Sequence, residues 1–289
     1  VKIGFIGLGI MGDPMAAHLA AAGHHVTGYV RRPDAGRRLI AAGGTTVTTI
    51  ADAVTDAEAV FTMLPNHPEV EEVVLGEQGV LANTGADTLL IDMSTIRPES
   101  AIHIAEQHPH SLDAPVSGGQ AGAENATLAI MIGGDNDDVE TARPLFDLLG
   151  KTIVHVGPHG AGQTVKAANQ LVVGGICALV GEAAVLLAAS GVDVGAGLEI
   201  LAGGLAANRI LDLKRESILR RDFTPGAKIE LHHKDMGIVL DAARRADVAL
   251  PVTGVVAQLM AAGRAMGFGG QDHTALVRVI EQLSGRTER

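Results

Sequence analysis

The chain has 289 residues, about twice the usual domain size, and is 47% hydrophobic against 19% charged, so two domains with a substantial core are expected. Thirty-three acids against 22 bases leave a net charge of -11, and only 2% of residues are aromatic; both exclude a nucleic-acid partner, which needs a basic face and stacking rings. A lone cysteine, Cys177, excludes an intrachain disulfide framework and a thiolate metal cluster, and fits a reducing, cytoplasmic setting.

The opening run Val1-Lys2-Ile3-Gly4-Phe5-Ile6-Gly7 lacks the long apolar stretch and cleavage site of a targeting segment. Strands are predicted at 2–6, 25–30, 59–64, 88–93, 112–116, 128–132 and 153–156, with helical segments such as 14–22 and 98–107 between them. This alternation implies a mainly parallel sheet with helices on both faces, with room for an antiparallel excursion around Gly133-Gly134. After Gly162 the strand signals stop. One apolar helix is predicted from Thr164 to about Ser190, followed by helices near 195–201, 210–220, 234–246, 251–266 and 275–283. Residues 171–190 carry a single charge, Glu182, but are diluted by Gly174, Gly175 and Gly181 and lack a Trp or Tyr belt. They read as a buried helix between domains or subunits rather than a membrane span. The expected architecture is α/β: a doubly wound sheet over residues 1–162, then an all-helical domain over 163–289 that begins with the long joining helix.

Four patches carry chemistry. Gly7-Leu8-Gly9-Ile10-Met11-Gly12 follows an apolar strand and opens an apolar helix, the setting of a Rossmann-type dinucleotide site. Gly7 serves the tight turn, Gly9 the close approach of a pyrophosphate, and Gly12 the packing of helix on strand. The end of the second strand reads Tyr29-Val30-Arg31-Arg32, with no acid from His24 to Pro33 to hold a ribose 2′-hydroxyl. Two guanidinium groups suit a 2′-phosphate, so NADP is favoured and NAD remains possible, the alternative being solvated arginines. Asp34 reads as a helix cap.

Leu64-Pro65 and Asp92-Met93-Ser94-Thr95 follow apolar strands, where such a sheet places its ligand contacts; simple turn and capping chemistry fits them equally. In Asp113-Ala114-Pro115-Val116-Ser117-Gly118-Gly119, Pro115 stands where a hydrolase nucleophile elbow needs glycine. Ser117, Gly118 and Gly119 offer a hydroxyl and N–H groups to a small anion such as a substrate carboxylate, or form only a tight turn. Lys166 lies near the start of the long helix, opposed by the helix dipole. Dipole and burial would lower its pKa from the ordinary lysine value of about 10.4 and suit it to general acid–base work, where a snorkelling surface lysine is the alternative. Asn169 falls one turn later on the same face. The histidine spacings fit no metal site: Gly157-Pro158 separates His155 from His159, and no His-Glu-x-x-His run occurs.

Together these motifs, with Lys166-Ala167-Ala168-Asn169 and Lys234-Asp235, resemble the β-hydroxyacid dehydrogenases, a family that includes 3-hydroxyisobutyrate dehydrogenase. The resemblance covers nearly the whole chain. It implies Lys166 as catalytic acid–base and Ser117, Gly118, Gly119 and Asn169 as substrate-binding residues. It further implies Leu64, Pro65, Thr95 and Lys234 as cofactor contacts, and a homodimer or homotetramer formed through the helical domains. Leu201-Ala202-Gly203-Gly204, Asn208-Arg209-Ile210-Leu211, Phe223-Thr224-Pro225-Gly226-Ala227-Lys228-Ile229 and Leu231-His232-His233-Lys234-Asp235 are most similar to the branch that reduces tartronate semialdehyde to glycerate. The implied partner is a small carboxylate. Alternatives are another aldehyde acid, 3-hydroxyisobutyrate among them, an imine substrate, or a nucleotide-binding scaffold without turnover; Lys166 beside Asn169 argues against the last two.

Overall fold

The computed structural model describes residues 1–32 and 34–286. The chain divides into two compact units, Val1–Lys166 and Ala167–Arg289.

The first unit is built on nine strands: β1 (Lys2–Ile6), β2 (His25–Tyr29), β3 (Thr45–Val47), β4 (Ala59–Thr62), β5 (Leu89–Asp92), β6 (Ser111–Asp113), β7 (Val116–Ser117), β8 (Leu128–Gly133) and β9 (Gly150–Gly157). They lie in the order β3-β2-β1-β4-β5-β6-β8-β7, with β9 paired to β8. From β3 to β6 every pairing is parallel. The strands build outward from β1 first to one side and then to the other, so the carboxyl ends of β1 and β4 flank the switch point where such sheets bind ligands. β4 and β5 are buried on both faces, which is why they read as unbroken apolar runs. Alternate side chains feed two cores: Phe5, Phe61 and Ile91 pack with Met15 and Leu19, while Ile6, Val60 and Leu90 pack with Val54, Val70 and Ile104.

The antiparallel excursion is present: β8 runs against β6 through Asp113 and Gly133 and against β7 through Val116 and Ile130, and β9 is parallel to β8. The single strand predicted over 112–116 is two strands. Pro115 has no N–H to continue the ladder, and its carbonyl instead accepts from Met131 N at 3.0 Å. β3 was not predicted, because three residues at the sheet edge are too short and too polar to show a period.

The long helix spans Ala161–Ala189 and is long and apolar enough to cross a membrane by length and composition. One side of it is packed, with Cys177, Ala178, Ala184 and Val185 buried in the second core, while Val172, Leu179 and Leu186 on the other are exposed. The second unit continues with helices Val194–Gly203, Arg209–Leu219, Ile229–Arg245, Pro251–Ala265 and Leu276–Leu283 around Met236, Val239, Val256, Met260 and Val279. Ile229–Arg245 starts five residues before the predicted 234. Its early N–H groups find carbonyls far along the chain, Ile229 N on Gln271 O at 2.9 Å and Glu230 N on Gly269 O at 3.0 Å, partners no local pattern reveals.

Candidate functional site

The glycine-rich loop leaves β1 and enters the helix Gly12–Ala21. Gly7 sits at φ +106°, and a Cβ there would strike the Met63 carbonyl. A Cβ at Gly12 would meet the Gly7 carbonyl and come within 3.0 Å of the Phe5 ring. Gly9 differs, since a Cβ there would meet nothing within 4 Å. The loop is therefore closed on its protein side by Gly7 and Gly12 and open at Gly9, beside the N–H groups of a helix start. A pyrophosphate fits that arrangement on steric and electrostatic grounds alike.

At the end of β2, Arg31 and Arg32 are exposed. Arg32 Nε lies 3.9 Å from Asp34, and Arg31 makes no ion pair among the described residues. The reading of Asp34 as a cap is corrected: the helix Arg37–Ala41 is preceded by Gly36 at φ +74°, which has no side chain to cap it. Its N–H groups are satisfied by Asp13, which accepts from Arg38 N at 3.2 Å and Leu39 N at 3.1 Å. Asp13 thus ties the glycine-loop helix to the segment following the two arginines.

The ends of β4 and β5 are bonded to each other. Thr62 Oγ1 donates to Asp92 Oδ1 at 2.7 Å, Ser94 N donates to the same oxygen at 3.2 Å, and Leu64 N donates to Ser94 Oγ at 2.9 Å. Leu64, Pro65 and Thr95 therefore stand on adjoining strand ends.

Gly118, at φ +135°, turns the chain from β7 into the short helix Gly119–Glu124, and Ser117 is the last residue of β7. Lys166, on the second turn of the long helix, is only 7% exposed, and its Nζ donates to Val116 O at 2.7 Å. The ammonium thus lies against the peptide that precedes Ser117-Gly118-Gly119. Asp113 accepts from Gly160 N at 2.7 Å and from Gln163 N at 2.8 Å, satisfying the helix start. Burial pushes its carboxyl up to about 6, opposed by those two N–H groups, with Asp92 adding to the rise. Neither Asp113 nor Gln163 has a role that the sequence reveals, because their partners lie 47 to 69 residues away, outside any local signal.

In the second unit, Asn169 Nδ2 donates to Gln170 Oε1 at 2.8 Å, and Gln170 Nε2 donates to Asp235 Oδ2 at 2.5 Å. Lys234 pairs with Asp235 Oδ1 at 3.0 Å. His232 Nε2 donates to Gln170 O at 3.0 Å, and its Nδ1 meets His273 Nδ1 at 3.0 Å. Burial, then the neighbouring His232, lowers the His273 ring to about 4. The Asn169 and Lys234 side chains are thus joined through Gln170 and Asp235, a link the sequence did not suggest. Among the described residues no group of three or more His, Cys, Asp or Glu side chains converges as metal ligands, and His155 and His159 each bond backbone carbonyls.

This combination of fold and glycine loop defines a dinucleotide-binding protein of the Rossmann type. The family described as the NAD binding domain of 6-phosphogluconate dehydrogenase matches residues 2–157, and the NAD-binding domain of NADP-dependent 3-hydroxyisobutyrate dehydrogenase matches residues 160–280. The chain is 41% identical to 2-hydroxy-3-oxopropionate reductase of Escherichia coli, covering 98% of each chain. It is 37% identical to 2-(hydroxymethyl)glutarate dehydrogenase of Eubacterium barkeri, over 99% of this chain and 96% of that one. Among solved structures, a 3-hydroxyisobutyrate dehydrogenase of Mycobacterium tuberculosis with L-serine superposes with a TM-score of 0.85 at 33% identity, covering 96% of this chain and 98% of that one. The chain belongs to the 3-hydroxyisobutyrate dehydrogenase-like β-hydroxyacid dehydrogenase family, whose cofactor is NAD(P).

Proposed function

We propose that this protein reduces a short aldehyde acid with NADPH, that its substrate is tartronate semialdehyde and its product glycerate, and that Lys166 is the proton donor. The observation that carries the reading is the buried Lys166 ammonium on Val116 O, next to Ser117-Gly118-Gly119. Ser117 and the N–H groups of Gly118 and Gly119 bind the substrate carboxylate, which brings the adjoining aldehyde oxygen toward Lys166. The cofactor supplies hydride to the carbonyl carbon. Lys166 Nζ gives its proton to the carbonyl oxygen, the C=O π pair becomes the new O–H bond, and solvent reprotonates the amine. Asn169, held by Gln170, hydrogen-bonds the substrate. Leu64, Pro65, Thr95 and Lys234 would contact the cofactor, and the glycine loop, open at Gly9, would hold its pyrophosphate.

Support for the particular substrate comes from the 41% identity to the 2-hydroxy-3-oxopropionate reductase and from the matching helical stretches. A site built for the 2-hydroxyl penalises its absence more than an apolar pocket penalises its presence. The preference for NADPH rests on Arg31 and Arg32, exposed where an acid would otherwise hold the ribose. The homo-oligomer reading is supported by Val172, Leu179 and Leu186, spaced by seven on one helix and 58%, 64% and 67% exposed. A panel of tartronate, methylmalonate and succinate semialdehydes, each with NADPH and NADH, tests the function. Tartronate semialdehyde with NADPH is expected to have the highest kcat/KM. Equal or better turnover of methylmalonate semialdehyde would overturn the substrate and leave the hydride chemistry standing; no turnover of any would overturn the reduction of a short semialdehyde.

A further inference from the structure

The first turns of the helix that carries Lys166 are fastened to three strand ends, and two of the three fastenings use side chains with no part in the mechanism above. Gln163, 1% exposed, reaches the loop after β5 with both ends of its carboxamide. Its Nε2 donates to Ser94 O at 2.9 Å and its Oε1 accepts from Ile96 N at 3.0 Å, so it grips the residues on either side of Thr95. Asp113, at the end of β6, holds Gly160 N and Gln163 N. Lys166 itself reaches the end of β7. The helix can come this close because Gly133 and Gly162 carry no Cβ. One on Gly162 would stand 2.5 Å from both Asp113 O and Met131 O, and one on Gly133 would stand 2.5 Å from Asp113 Oδ1.

We infer that Gln163 and Asp113 are positioning residues for the reduction: Gln163 couples the Thr95 loop to the Lys166 helix, Asp113 fixes the start of that helix, and together they hold the proton donor in register with the cofactor edge. This rests on the assignment of Lys166 as proton donor and of Thr95 as cofactor contact. The chemical reason for these residue types is donor–acceptor bookkeeping. Ser94 O needs a donor and Ile96 N an acceptor, and a carboxamide offers both at one side-chain end at any pH. The two N–H groups at the helix start both need acceptors, which an ionised carboxylate supplies and a carboxamide supplies only once. A shift of about 1 Å in a reacting group can cost on the order of 100-fold in rate, so loss of the grip acts on turnover more than on binding.

The test uses the full-length enzyme, the best aldehyde acid of the panel, and Gln163→Leu and Asp113→Asn, each also placed on a Lys166→Ala background and measured by single turnover with enzyme in excess. Gln163→Leu is expected to lower kcat by about 10- to 100-fold while the NADPH dissociation constant, read by fluorescence, changes less than about threefold. On the Lys166→Ala background the same change is expected to cost less than about twofold, because a residue acting through the lysine has nothing left to position. Asp113→Asn should follow the same pattern. Should Gln163→Leu fail to fold by thermal unfolding, Gln163→Glu, which keeps the acceptor for Ile96 N and loses the donor to Ser94 O, takes its place. Folded variants with parental kcat, or an equal loss on both backgrounds, would overturn the positioning role. A parent without turnover, or a Lys166→Ala enzyme with parental kcat, would instead overturn the lysine assignment, and the clamp with it.

Discussion

Asp113 in the sheet unit and Asp272 in the helical unit are both almost fully buried, at 3% and 1% exposed, yet their carboxyl groups are held at opposite ends of the carboxylate range. Asp113 has two backbone N–H partners and the like charge of Asp92 nearby, and burial carries it up to about 6. Asp272 feels the same burial, but the His273 ring, protonated at low pH, the Lys214 ammonium at 2.9 Å, Gly226 N at 2.8 Å and the Thr274 hydroxyl at 2.8 Å outweigh it and bring it to about 2. Burial is common to both; the supply of positive charge and donors decides. Asp272 gathers loops around a compensated charge. Asp113 is an under-compensated charge kept at the point where the lysine-bearing helix leaves the sheet, in keeping with the positioning role proposed for it.

The largest expected effect on stability lies with the compensated group. Asp272→Ala leaves Lys214 and several N–H groups without their acceptor and should cost about 3–5 kcal/mol in urea unfolding followed by circular dichroism. Asp113→Asn is expected to cost far less at pH 8, since there the parent carries the penalty of a buried charge that the variant avoids. Equal losses would erase the contrast.

The pH dependence of stability should separate the two next. Because the Asp113 pKa is raised in the folded state, the folded protein holds its proton while the unfolded chain releases it. Its contribution therefore falls as pH rises from about 4 to about 6, by up to about 3 kcal/mol. Asp272 works in the other direction: its contribution is complete above about pH 4 and is lost as pH falls toward about 2. His273, lowered to about 4, adds stability as pH rises through about 4 to 6.5 and opposes Asp113 over much of that window. The informative quantity is accordingly the difference between parent and Asp113→Asn, which should move in favour of the variant from pH 4 to pH 6.5. A flat difference would mean that Asp113 is not held protonated by the fold.

The smallest effect belongs to exposed charge. Replacing Arg31 and Arg32 by neutral residues should reduce kcat/KM with NADPH by about tenfold, the scale of one or two charge-assisted hydrogen bonds, and leave NADH within about twofold. A parent that favours NADH tenfold would mean that the arginines are merely solvated.

The two units were not equally legible in the sequence. Local chemistry reveals local structure: β1 at Lys2–Ile6, the glycine turn and the helix Pro98–Gln107 follow from apolar runs, glycine spacing and a proline at the first helical turn. Where a feature depends on partners far along the chain it stayed hidden. The Asp13 cap of Arg37–Ala41, the grip of Gln163 on Ser94 and Ile96, and the early start of Ile229–Arg245 are all closed by long-range bonds. Lys166 could be singled out by its place near a helix start, but its acceptor, Val116 O, is fifty residues away. In the helical unit the Gln170–Asp235 link and the His232–His273 pair left no period or motif to read.

The most direct test of the central claim, that the sheet-unit edge places Lys166 as proton donor to a carbonyl, is Lys166→Met assayed with the best aldehyde acid and NADPH, with cofactor binding followed separately by fluorescence. General acid–base catalysis is worth typically about 10²–10⁴-fold, so kcat should fall by at least about 100-fold while NADPH affinity stays within about threefold of the parent. Retention of more than about a tenth of the parental kcat, far above what loss of an acid–base group allows, would contradict the assignment.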